Sequence, residues 1–250
     1  MFYRETGAGP AVVCIHSNAS SSGQWRGLME LLAPKFRVLA PDSYGAGKSP
    51  PYRGASLRDE VALIEPLLKN AAALVGHSYG GAVALVAALA HRPRAMALYE
   101  PTLFCVVQPP SEVDGIRNAV AAAVTALGAG DTVGAARCFI DFWMGEGSFD
   151  RMPERVQAAT AEQVRNIQGW QDALFNEPTP LAAFAQLDMP VLLMVGAASP
   201  LSSRAVARRM QGVLPRVEML ELEGLGHMAP VTHPDQVNAA IAAFLERHAT

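Results

Sequence analysis

Ala73-Leu74-Val75-Gly76-His77-Ser78-Tyr79-Gly80-Gly81-Ala82 is the stretch whose reading decides the fold. A compact apolar run, Ala73 to Val75, leads into a glycine-flanked serine, and from Gly80 to His91 (GGAVALVAALAH) the chain is almost wholly apolar. A short apolar run closed by a glycine turn fits a strand buried on both faces, and a helix apolar on every side is a buried helix. Strand, sharp turn and helix in that order form one half of a parallel crossover unit, so this stretch predicts a parallel sheet covered on both faces.

Upstream, Ala11 to Ile15 (AVVCI) and Arg37 to Ala40 (RVLA) are further buried-strand runs. Gln24 to Ala33 and Leu57 to Leu68 carry apolar residues at helical spacing and supply the crossovers, and Pro66 is expected to bend or end the second helix early. Downstream, Ala95 to Tyr99 (AMALY) is the next strand. After Pro101 the alternation stops, and Val113 to Leu127, Thr132 to Met144 and Arg155 to Phe175 read as helices. Strands return at Val191 to Val195 and Val217 to Leu220, with Ser203 to Val213 and Asp235 to Arg247 as helices. The expected fold class is α/β, with a mostly parallel sheet flanked by helices. Its core comprises residues 1–103 and 186–250, and residues 104–185 form a helical cap insertion. Such sheets bind ligands beyond the carboxyl ends of their strands.

Composition narrows the function classes. Twenty Lys plus Arg against 23 Asp plus Glu leave a formal charge of −3, which gives no electrostatic reason to expect nucleic acid or an anionic membrane as partner. Cys14, Cys105 and Cys138 show neither a CxxC spacing nor a Cys/His cluster, so reduced thiols are expected, with no metal and no cofactor. The Met1 to Gly7 segment has no basic stretch followed by an apolar one, and no apolar run reaches the ~18 residues of a membrane span. A cytoplasmic monomer or homodimer acting on a small molecule is the expectation.

Gly76-His77-Ser78-Tyr79-Gly80 fits G-x-S-x-G, with a strand before it and a helix after it. Glycines two before and two after the serine permit a tight turn that holds the hydroxyl strained and exposed, while the helix N-terminus favours an oxyanion beside it. A serine hydroxyl is a weak nucleophile until a base takes its proton. Gly224-Leu225-Gly226-His227 supplies that base on a glycine-rich loop between the last strand and the last helix; a histidine merely capping that helix is the alternative. The other histidines fit less well: His77 is locked in the turn, His91 and His248 sit at helix ends, His233 belongs to a His-Pro turn, and His16 follows the first strand.

His16-Ser17-Asn18, Asp42 with Gly45, Gly47 and Ser49, the G-x-S-x-G turn and the final Gly-x-Gly-His occur in the order of the α/β-hydrolase superfamily, which this chain resembles over nearly its whole length. The resemblance implies a nucleophile elbow at Ser78, a structural loop at residues 42–49, and an oxyanion hole formed by the N–H of Tyr79 with one from the loop after the first strand. By position that second donor is Asn18, with Ser17 standing where the family usually has glycine; a polar turn with no donor role is the other reading of His16-Ser17-Asn18. Family members most often place an aspartate after the strand corresponding to residues 191–195. Here the loop reads Gly196-Ala197-Ala198-Ser199-Pro200, with no carboxylate before Arg204. Glu100, at the end of the strand after the nucleophile helix, occupies the position some haloalkane dehalogenases use for the acid. Its alternative is an ion pair with an arginine of the insertion or a bond to a backbone amide.

The expected catalytic set is therefore Ser78, His227 and Glu100, and the implied activity is that of a serine hydrolase cleaving a small to medium, largely apolar carboxylic ester, lactone or thioester. Phe139, Phe142, Trp143, Trp170 and Phe175 either line its pocket or pack the insertion onto the core. Carbon–carbon bond hydrolysis of diketone-like ring-cleavage products, and a non-catalytic binder on a hydrolase fold, are the competing functions.

Overall fold

Alternation along the buried strands sorts the apolar residues onto two faces of one sheet, as the two-residue side-chain period requires. Val13, Ile15, Leu39, Leu74, Met96, Leu98, Leu193 and Val195 belong to one apolar cluster, while their neighbours Val12, Cys14, Val38, Ala73, Val75, Ala97, Leu192 and Met194 belong to a second. The computed structural model describes residues 1–52 and 56–250. Along the chain it has β1 (Tyr3–Thr6), β2 (Ala11–Ile15), α1 (Arg26–Leu32), β3 (Arg37–Pro41), α2 (Leu57–Leu68), β4 (Ala71–His77), α3 (Tyr79–His91) and β5 (Ala95–Tyr99). Then come α4 (Asp114–Gly128), α5 (Thr132–Met144), α6 (Glu154–Val164), α7 (Ile167–Phe175), β6 (Val191–Gly196), α8 (Leu201–Val213), β7 (Val217–Leu222), α9 (Ala229–Thr232) and α10 (Pro234–His248).

The seven strands lie in the order β1-β3-β2-β4-β5-β6-β7, and every pair is parallel except β1 with β3. The expected α/β class and mostly parallel sheet are borne out. α3 packs between sheet and solvent-side helices so completely that Tyr79 to Ala88 are all buried, which is why its sequence shows no polar face.

Two local expectations are corrected, and one strand is added. The helix carrying Pro66 does not stop early; it continues to Leu68. Only two residues follow the proline, so the missing N–H removes a hydrogen bond from the helix end alone, where the loss is smallest. The single helix expected over residues 155–175 is two, α6 and α7, broken at Arg165 and Asn166. β1 had no expectation: its four residues, YRET, are half-exposed and alternate with no apolar run, and pairing with β3 alone makes them a strand.

Beneath the nucleophile turn, α2 buries Glu60, whose carboxylate accepts the Tyr44 N–H at 3.1 Å and the Tyr79 hydroxyl at 3.5 Å. Burial pushes its pKa up from 4.5 to about 7. Below pH 4.5 the group is protonated in both folded and unfolded chains. As pH rises from there to about 7 the unfolded chain ionises first, so stability is expected to fall, by at most about 3 kcal/mol, and to level off above. Glu60→Gln should flatten that part of the curve; thermal melts of both proteins from pH 4.5 to 8 check this, and parallel curves would contradict it.

Candidate active site

Ser78 follows β4 and caps the start of α3 with φ 56° and ψ −119°, a conformation that costs a non-glycine residue about 1–3 kcal/mol. Three backbone hydrogen bonds hold it there: its N–H donates to Tyr99 O (3.0 Å), and its carbonyl accepts from Ala82 N (3.1 Å) and Thr102 N (3.2 Å). The flanking glycines are sterically required. A Cβ on Gly76 would sit 2.6 Å from Gly80 O, and one on Gly80 would sit 2.3 Å from Ile15 O.

The hydroxyl of Ser78 and Nε2 of His227 lie 2.9 Å apart, across 149 positions of chain. On the other side of the imidazole, Nδ1 lies 2.7 Å from Oε2 of Glu100, a fully buried carboxylate just beyond β5. Its second oxygen accepts the Gly196 N–H (2.7 Å) and the Ser199 hydroxyl (2.5 Å), so Ser199, in the loop that carries no carboxylate, holds the glutamate that reaches in from the neighbouring strand. The Ser203 hydroxyl lies 3.3 Å from Nδ1. With Nδ1–H donated to Glu100, Nε2 is the free base, oriented to take the Ser78 proton.

The loop carrying His227 is fastened at two successive carbonyls. The Tyr99 hydroxyl donates to Gly226 O at 2.8 Å, and Nε2–H of His77 donates to His227 O at 2.8 Å. Gln24 sets the His77 tautomer: its Oε1 accepts from the Ser17 N–H (3.2 Å) and hydroxyl (3.0 Å), leaving Nε2 to donate to His77 Nδ1 (3.1 Å). Burial, with the neighbouring His227, lowers the His77 pKa well below the ordinary value, so this ring stays neutral. His16 is likewise structural, accepting the Ser43 N–H through Nε2 at 3.0 Å. Asp42 accepts from the Ser22 and Lys48 amides, which fits the structural loop implied for residues 42–49.

Tyr79 opens α3, so its N–H belongs to the first helical turn, whose amides have no partner within the helix. Asn18 borders the same space as Ser78 in two adjoining cavities. The inner cavity, about 30 Å³, is bordered by α4, α5 and α7; the outer, about 210 Å³, lies along α5, α6 and the loop after His227. Phe139 and Trp143 of α5 border both. Trp143 also stacks on the His227 ring, with centroids 3.9 Å apart and planes at 26°, setting an electron-rich face against the group that becomes cationic on taking a proton. Among the described residues no cluster of His, Cys, Asp and Glu forms a metal site, and no helix is long and apolar enough to cross a membrane.

All five residues singled out in the sequence thus sit together at the carboxyl ends of β2, β4, β5 and β7. Sequence reasoning missed Gln24, the role of His77 as a brace, Ser199 and Ser203 as contacts of Glu100 and His227, and Thr102. His77 lies in the G-x-S-x-G turn and Ser199 in the Gly196–Pro200 loop, but nothing local says which distant atoms their polar groups meet.

A model of the alpha/beta hydrolase family matches residues 12–240. An epoxide hydrolase of Caballeronia sordidicola is 35% identical over 117 residues, 44% of this chain and 36% of that protein, so the chain matches only about a third of that relative's length. A pimeloyl-acyl-carrier-protein methyl ester esterase of Aeromonas hydrophila is 26% identical over 268 residues, covering 96% of each chain. The solved structure of the enol-lactonase from Burkholderia xenovorans LB400 is similar with a TM-score of 0.77 at 19% identity, over 98% of this chain and 96% of that one, a likeness of fold.

Proposed function

This chain belongs to the alpha/beta hydrolase family, and from that premise we propose that it is a serine hydrolase acting on carboxylic esters through an acyl-enzyme on Ser78. The observation that carries the reading is the continuous relay from the Ser78 hydroxyl to His227 Nε2 at 2.9 Å and from Nδ1 to the Glu100 carboxylate at 2.7 Å. Ser78 attacks the carbonyl carbon while its proton passes to His227, and Glu100 stabilises the imidazolium. The N–H groups of Tyr79 and Asn18 take the oxyanion, each worth about 3–4 kcal/mol in such sites. His227 returns the proton to the leaving alcohol, then activates the water that frees the acid. The insertion 104–185 acts as the cap over this centre. Similarity over almost the full chain to a methyl ester esterase supports an ester as substrate.

Similarity to an epoxide hydrolase does not redirect the chemistry, because attack by a serine on a saturated carbon leaves an ether, which lacks the carbonyl that water must attack for turnover. A fluorophosphonate probe is expected to label Ser78, and a p-nitrophenyl ester is expected to turn over faster than a vinylogous diketone. Preference for the diketone would assign carbon–carbon hydrolysis instead, and a folded protein that resists the probe would be a binder.

A further inference from the structure

The two cavities meeting at Ser78 differ in size, lining and reach. The inner one is walled by Phe104, Ile116, Val120, Leu174 and Phe175, and the outer by Met144, Met152, Val156, Met228 and Val231. Both touch Ser78 and Asn18, yet His227 lines the outer cavity and not the inner. That asymmetry has a chemical meaning under the serine-esterase reading, on which the following inference rests. When the tetrahedral intermediate collapses, the bond from the carbonyl carbon to the alcohol oxygen breaks, and that oxygen takes the proton from His227 Nε2. The leaving oxygen therefore lies on the imidazole side, and the acyl arm, which stays bonded to Ser78 Oγ, points the other way.

We infer that the outer, methionine-lined cavity receives the leaving alcohol and the small inner cavity receives the acyl arm, making the protein selective for esters of short acids with longer apolar alcohols. Free space of about 30 Å³ admits about two water-sized groups, whereas the outer cavity, at about 210 Å³, accepts a chain of several carbons. Flexible, polarisable methionines suit varied apolar partners on that side.

Hexyl acetate and ethyl hexanoate are isomers with acyl and alcohol lengths exchanged, so comparing them isolates the assignment from overall hydrophobicity. In a pH-stat assay kcat/KM is expected to favour hexyl acetate by at least about 100-fold. The double variant Ile116→Ala/Val120→Ala, with its folding verified by circular dichroism, should shift that ratio toward ethyl hexanoate by at least about tenfold. Equal rates, or preference for ethyl hexanoate by a protein whose Ser78 is labelled by a fluorophosphonate, would overturn the assignment and leave the esterase reading standing. Failure of the probe to label Ser78 would remove the esterase reading itself.

Discussion

Ser78→Ala is expected to lower kcat for a p-nitrophenyl ester by about a million-fold and to abolish fluorophosphonate labelling, while the melting temperature changes little. The size follows from what remains. Without the hydroxyl no acyl-enzyme forms, and His227 has only a water to activate in a site shaped for an attached nucleophile. The fold is expected to persist because the backbone of residue 78 is held by three main-chain hydrogen bonds, none of which uses the side chain. Alanine meets the same positive φ as serine, so it neither relieves nor adds backbone strain. Turnover within tenfold of the parent protein would place the chemistry elsewhere and end the mechanism proposed above.

Glu100→Gln is expected to cost about 10,000-fold in kcat, through the tautomer of His227 and not through any loss of structure. The carboxylate receives three donors: Gly196 N–H and the Ser199 hydroxyl on one oxygen, and His227 Nδ1–H on the other. An amide has one oxygen. If that oxygen keeps Gly196 and Ser199, the NH2 group faces Nδ1 and becomes a donor, so the proton of the imidazole moves to Nε2. Nε2–H then points at Ser78 and can no longer accept its proton. Steady-state kinetics beside a circular dichroism melt separate this from misfolding. A loss below tenfold would remove Glu100 from the relay.

The order of strands and helices is legible in the chain because buried parallel strands are continuous apolar runs and crossover helices keep helical spacing. Where apolar patterning is not the cause of structure, reading fails. Tyr3–Thr6 becomes a strand through main-chain pairing at an edge, and Arg165–Asn166 interrupts a helix without glycine or proline to mark it. Pro66, a genuine signal, is outweighed because it lies so near the helix end. In the site, Ser78 and His227 stand out since their motifs are local. Glu100 emerges only through the family resemblance, which offers the strand after the nucleophile helix as a second place for the acid once the loop after residue 195 shows no carboxylate. Gln24 does not emerge at all, because its importance is a distance to His77 across 53 positions, and Trp143 is one aromatic among several until its ring is found over His227.

Nucleophile and acid follow adjacent central strands, β4 and β5, in a register that sets His77 beside Tyr99. On the proposed mechanism, two of the three working groups are thus borne by one rigid slab, and a peripheral turn is spared from carrying charge. Heating cannot loosen the acid without also unzipping the middle of the molecule. The Gly196–Pro200 turn steadies the glutamate from outside through the Gly196 amide and the Ser199 hydroxyl, so any sequence grafted beside the chemistry there has to keep both contacts.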